Sequence, residues 1–111
     1  MTTIASPIHL RTEQLVFTYE AGAWPGGVFT GYRDDTGGFR LEHLVTFAGT
    51  SILDFVRAGG RAVWEQGFAY AVFRIPHAHP HARGLKALAR RVGAIEYAIH
   101  ETQSFFVVYR P

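Results

Sequence analysis

The sequence contains no cysteine, which excludes disulfide bonds, thiolate nucleophiles and thiolate metal sites. It also lacks a long apolar run and a charged-then-apolar leader, so no membrane association is expected. A location in the cytoplasm or inside a virus particle is the expectation. Lysine is nearly absent, since Lys86 accompanies ten arginines, and the formal net charge is only +2. So small a net charge gives no reason to expect a nucleic-acid partner.

The residues that are present suit one folded domain. The chain has 111 residues, of which 48% are hydrophobic, 14% aromatic and 18% charged. This length and composition predict a single domain over residues 1–111 with one packed core.

Strand-like and helix-like segments alternate along most of the chain. Alternating or apolar patterns predict strands over residues 14–20, 28–33, 39–47, 70–75, 95–100 and 105–109. Apolar stripes at helical spacing predict helices over residues 51–66 and 80–92. The order predicts an α/β (α+β) domain with a single mixed, mostly antiparallel sheet and two main helices. In such sheets ligands bind where strand ends meet helix starts.

The start of the first helix is placed by its cap. Ser51 followed by Asp54 resembles a capping box, and Gly67 is suited to end the helix. The segment RAGGR, residues 57–61, is an alternative start. A helix that began there would have only about two turns, and the apolar residues before it would lie outside the helix. We therefore predict the start at Thr50–Ser51.

The order of segments resembles the C-terminal part of the GNAT superfamily, the acyl-CoA-dependent N-acyltransferases, and in particular short GNAT-like proteins of bacteriophages. The stretches that carry the resemblance are RLEHLVTF, AVWEQGFAYAVFRIP, HARGLKALARRVGA and IEYAIHETQSFFVVYRP. They cover about residues 39–110. The resemblance implies a trimmed GNAT-like fold, with acetyl-CoA or another acyl-CoA as cosubstrate.

The resemblance also places a cofactor site, and the sequence departs from the family there. The glycine-rich loop that holds the CoA pyrophosphate falls at residues 47–52, where Gly49 is the only glycine. The cofactor contacts that it implies are Phe47, Gly49, Thr50, Ser51 and, after the next strand, His81. An ordinary helix cap explains Thr50 and Ser51 equally well. The usual tyrosine acid falls at Ala89.

Glu42 and His43 are the candidate general bases, because the equivalent strand supplies the base in many relatives. Either side chain can deprotonate an acceptor amine before it attacks a thioester. Strand alternation would place the two on opposite faces, so at most one would face a given site.

His77, His79 and His81 form a second candidate cluster. In an extended segment the three imidazoles would point the same way, as a zinc site requires. Pro80 and the following helix bend the segment, so solvent-exposed loop histidines are the alternative, and no metal is expected.

Two functions remain open on these grounds. One is an N-acyltransferase with an unknown acceptor; the other is a non-catalytic GNAT-fold module of a phage particle or its assembly. A homodimer or phage structural proteins are the expected partners.

Overall fold

The structure, a computed structural model, describes residues 2–4, 8–9 and 14–111. The strands of these residues are β1 Thr2–Ile4, β2 Ile8–His9, β3 Gln14–Ala21, β4 Trp24–Arg33, β5 Phe39–Thr46, β6 Tyr70–Pro76, β7 Ile95–Ile99 and β8 Gln103–Tyr109. The helices are α1 Ile52–Glu65 and α2 Ala82–Arg91.

All these strands join one mixed sheet. Its order is β1-β3-β4-β5-β6-β8-β7, and β2 also pairs with β3. Among the described strands, β5 and β6 form the one parallel pair, and every other pairing is antiparallel. The predicted single, mixed and mostly antiparallel sheet with two helices is confirmed.

Both helices pack on the same face of the sheet. The crossover through α1 moves from β5 to β6, and the crossover through α2 moves on in the same direction to β7. Crossovers with the usual right hand then place both helices on one side. We call this side the helix face and the opposite side the open face, which no helix of the described residues covers.

The core lies between the helices and the helix face, in two clusters. Under α1, Phe17 stacks on Phe29 at a centroid distance of 4.6 Å, and Phe55 of the helix stacks on Tyr19 at 5.0 Å. Under α2 the buried residues are Ile75, Ala89, Ala94 and Phe106. Burial of whole aromatic side chains supplies most of the driving force for a domain of this size.

The hairpin turn between β4 and β5 is bonded to the start of β6. The Asp34 carboxylate accepts hydrogen bonds from the amides of Thr36 and Gly38, and from the Tyr70 hydroxyl at 2.8 Å. Partial burial works to raise the pKa of Asp34, but the bonds from Gly38, Tyr70 and Thr36 together hold the pKa below its ordinary value of 3.8. This network holds β5 beside β6 at the end where the two strands pair.

Several predicted boundaries need correction. Residues 1–9, for which no strand is predicted, contribute β1 and β2, although residues 1 and 5–7 lie outside the described ones. Strand β4 begins at Trp24, four residues before the predicted start at residue 28. Helix α2 begins at Ala82 after its N-cap His81, so Pro80 precedes the helix. Ser51 is the N-cap of α1, as predicted, which rejects a start at RAGGR.

No helix within the described ranges is both long and apolar enough to cross a bilayer.

Candidate active site

A wedge opens between β5 and β6 at their carboxyl ends. The two strands pair only at Phe39 with Ala71 and at Arg40 with Val72. Beyond these pairs, β5 continues to Thr46 and β6 to Pro76 without pairing with each other. Their facing edges therefore carry backbone N–H and C=O groups that no neighbouring strand uses.

A cleft of about 150 Å³ lies beside the point where the strands part. Its lining residues are Tyr32, Arg40, Leu41, Glu42, Val72, Phe73, Arg74, Tyr97 and Phe105. Of the predicted site residues, Glu42 lines this cleft.

A β-bulge at Glu42 changes which side chains share a face. Gly31 of β4 pairs with Leu41 and the next residue back, Thr30, pairs with His43, so Glu42 is an extra residue in β5. Directly paired residues project to the same face. His43 therefore lies with Thr30 on the open face, and Leu44 returns to the helix face opposite Phe29.

The expectation that Glu42 and His43 lie on opposite faces is wrong for this reason. The Glu42 carboxylate accepts a hydrogen bond from Nε2 of Gln14 at 3.3 Å. Gln14 pairs with Tyr32, and Tyr32 pairs with Arg40, so these three side chains project to the same face. That face is the open one, because the neighbouring Leu41 packs against the core on the helix face. Both candidate bases thus lie on the open face, as adjacent residues at the rim of the wedge. Both are solvent-exposed.

The loop between β5 and α1 uses its polar groups internally. The Thr50 hydroxyl donates to the carbonyl of Gly26 at 2.8 Å, and the Thr50 amide donates to the carbonyl of Phe47 at 3.1 Å. The Ser51 hydroxyl accepts from the Asp54 amide at 3.3 Å. Gly49 has a φ of +84°, the left-handed conformation that a tight loop requires.

This loop lies where the resemblance places the CoA pyrophosphate, but it fits an anion poorly. Both hydroxyls have protein partners, and Asp54 adds negative charge to the first helical turn. The amides of Ile52 and Leu53 have no preceding carbonyl within the helix to bond to, whereas the Asp54 amide is already bonded to Ser51. His81, the remaining predicted cofactor contact, is the N-cap of α2 and lies at the same edge of the sheet, after β6. No hydrogen bond among the described residues joins it to the Phe47–Ser51 loop.

The three loop histidines do not converge. His77 lies between two partners: its Nε2 is 2.7 Å from the carbonyl oxygen of His100, and its Nδ1 is 2.9 Å from Nζ of Lys86. His79 accepts the amide hydrogen of His81 through Nδ1 at 3.0 Å. Within the described residues no group of three or more histidine, aspartate or glutamate side chains is arranged to hold a metal ion.

Sequence reasoning missed most of the cleft. Arg40 and Arg74 border it from the two arms of the wedge, and Tyr97 and Phe105 form an aromatic side. The available signal was Arg74 itself, a charged residue within the otherwise apolar strand 70–75. A charge at such a position has to lie on an uncovered face or in a site.

Comparisons with known proteins identify the fold. No protein-family model and no curated protein matches the sequence. Among solved structures, the IAA acetyltransferase from Bacillus cereus superposes with a TM-score of 0.76 at 8% identity, covering 99% of this chain and 100% of that one. An acetyltransferase from Bacillus subtilis in complex with CoA gives 0.71 at 11% identity, covering 89% and 78%. The N-acetyltransferase PseH of Campylobacter jejuni in complex with acetyl coenzyme A gives 0.74 at 8% identity, covering 93% and 72%.

Identities this low concern architecture and not chemistry. The fold is that of GNAT acetyltransferases, as the order of segments indicates.

Proposed function

We propose that the protein is an acyl-CoA-dependent N-acyltransferase whose acyl donor lies in the wedge between β5 and β6. One observation carries this proposal: two adjacent parallel strands pair over two residues each and then separate, although both remain extended. The separated edges offer rows of N–H and C=O groups to an extended ligand. The pantetheine arm of CoA contains two amide groups and can bind such edges as a strand would.

Glu42 is the proposed general base. It lines the cleft at the rim of the wedge, whereas His43, its neighbour on the same face, is not among the lining residues. The acceptor ammonium first loses one proton to solvent, and its nitrogen attacks the thioester carbonyl. The C–N bond forms, the second ammonium proton passes to the Glu42 carboxylate, and the C–S bond breaks to release the CoA thiolate, which takes a proton from solvent.

In this proposal the acyl-CoA donor is held mainly through its pantetheine arm. The Phe47–Ser51 loop can offer first-turn amides of α1 to the diphosphate, but its hydroxyls are committed to Gly26 and Asp54. The acidic Asp54 opposes a diphosphate at the same place. We therefore expect weak binding of the nucleotide end of CoA.

The second candidate is a non-catalytic module that retains the fold, in the setting of a phage particle or its assembly. The same loop supports it, because a helix start that caps itself and carries an aspartate is an ordinary helix start. The two candidates make opposite predictions for acyl-CoA binding.

Thermal denaturation with three ligands separates them. Acetyl-CoA and acetyl-pantetheine should both raise the melting temperature, since both fill the wedge, whereas ADP should leave it unchanged. Saturation at 100 times Kd stabilises the folded state by about 2.7 kcal/mol. The absence of a shift at millimolar acetyl-CoA would reject the enzyme and favour the module.

A further inference from the structure

The cleft beside the wedge carries an excess of positive charge. Arg40 and Arg74 both line it, against the single carboxylate of Glu42. Within the described part of the chain Arg74 has no ion pair, and Arg40 has only a 3.8 Å contact with Asp34 while half of its side chain is exposed. Two guanidinium groups beside one carboxylate leave this cleft able to bind an anion.

Arg74 and Glu42 occupy corresponding positions on the two arms of the wedge. The last parallel pair is Arg40 with Val72, and Glu42 and Arg74 each lie two residues further along strands that run in the same direction. Arg40, Val72 and Arg74 project to the open face, as do Tyr32 and Phe105, their cross-strand partners. Arg74 therefore faces the base across the opening, on the same side of the sheet.

The far side of the cleft is aromatic. Phe105 pairs directly with Arg74, and its ring lies 6.1 Å from the ring of Tyr97 at an interplanar angle of 43°. Together with Val72 these rings give an apolar surface next to the guanidinium group. Such a surface suits a hydrocarbon or aromatic body beside a charged head group.

From this arrangement we propose that the acceptor is a primary amine that also carries an oxyanion, a carboxylate or phosphate group, on an apolar body. Arg74 binds the oxyanion, Tyr97 and Phe105 contact the body, and the amine is presented to Glu42. This inference rests on the proposed function for the role of Glu42 and deepens it by naming the class of acceptor. Arg74 is a specificity-determining residue here and takes no part in the proton transfer.

A matched pair of ligands tests the proposal without an acyl donor. L-Phenylalanine and 2-phenylethylamine differ by one carboxylate, and their dissociation constants can be measured by NMR titration of the backbone amides. A hydrogen-bonded ion pair of this kind corresponds to about 10- to 100-fold tighter binding of phenylalanine. The phosphonate analogue of phenylalanine, titrated in parallel, shows which oxyanion binds better.

Variants then locate the preference. Arg74→Gln should reduce the preference for phenylalanine to about threefold or less, because the partial charge of an amide replaces a full one. Arg74→Lys should restore part of it. Arg91→Gln, at the exposed end of α2, should leave it unchanged, since α2 packs on the other face.

The outcomes separate this inference from the proposed function. Equal binding of the two ligands by the wild type, or an unchanged preference in Arg74→Gln, would overturn the inference even if acetyl-CoA stabilises the protein. An Arg74-dependent preference without any effect of acetyl-CoA would support an oxyanion-binding cleft and reject the acyltransferase.

Discussion

Replacing Gly31 with alanine tests whether the bulge in β5 has the geometry described above. Gly31 lies on β4 and pairs with Leu41 of β5, the residue that precedes the extra residue Glu42. A Cβ atom on Gly31 would overlap the backbone carbonyl oxygen of Arg40 and the ring of Phe39. A backbone oxygen held in a strand pairing cannot rotate away as a flexible side chain can, so the strands have to shift.

The expected cost of Gly31→Ala follows from overpacking. Forced insertion into a packed site costs about 1–3 kcal/mol. For a domain of this size, 1 kcal/mol changes the melting temperature by about 4 °C, so a decrease of about 4–12 °C is expected by differential scanning calorimetry. Amide chemical shifts should change along β5 around the bulge and much less in α2.

Gly60→Ala is the matched control for the same chemical change. Gly60 lies inside α1, and apart from its chain neighbours and the backbone of its own helix, the nearest atom to its added Cβ is Trp64 Nε1 at 3.9 Å. Alanine in a helix interior is favoured over glycine by about 0.5–1 kcal/mol, so this variant should melt about 2–4 °C higher than the wild type. A Gly31→Ala protein as stable as the wild type, beside a Gly60→Ala protein that behaves as stated, would refute the assigned register.

Three further predictions concern the site and the hairpin turn. Glu42→Gln should lower kcat/KM for acyl transfer by about 100-fold or more, whereas His43→Gln should lower it by less than about tenfold; the reverse order would make His43 the base. Thr50→Val should cost about 0.5–1.5 kcal/mol in urea denaturation, through the lost bond to Gly26, while acetyl-CoA affinity stays within about threefold; a large loss of affinity would show that the hydroxyl serves the cofactor. The folded-state pKa of Asp34 lies below its unfolded value, so its carboxylate stabilises the fold above about pH 4 and this contribution is lost as the pH falls through the folded-state pKa. Asp34→Asn should therefore flatten the acid limb of the pH–stability curve, and an unchanged limb would contradict the assignment.

The sequence was sufficient for the element order from β3 to β8, because each of these segments has a distinct period, but it gave no sign of β1 and β2. The helix start at Ser51 was predictable since the cap and the apolar stripe agree, and the structure bonds the Ser51 hydroxyl to the amide of Asp54. The boundary of α2 was less predictable, because Pro80 suits the first turn of a helix and also the turn that precedes it.

The bulge at Glu42 could not be read from the sequence. The alternation of apolar and polar residues along 39–47 is compatible with a regular strand and with a strand that has one extra residue, so the pattern does not indicate the bulge. The bulge depends instead on the approach of Gly31 to the β5 backbone, a contact between separate strands. The placement of both candidate bases on one face follows from the bulge and therefore could not be predicted either.

The wedge was likewise outside the reach of local patterns. A strand that loses its neighbour half-way keeps the same composition as one that stays paired. The separation of β5 from β6 is visible only in the pairing, which ends at Arg40 and Val72. The proposed role of Arg74 in binding the acceptor could be inferred only from its position across this opening from Glu42.

Amide chemical-shift mapping with acetyl-CoA decides whether an acyl-CoA thioester binds between β5 and β6. Binding in the wedge should cause saturable shifts of the amides from Leu41 to Thr46 and from Phe73 to Ile75, the segments of β5 and β6 that do not pair with each other. Acetyl-pantetheine should move the same amides. If saturating acetyl-CoA leaves these amide shifts unchanged, or changes only those of residues elsewhere, the acyl donor does not bind in the wedge.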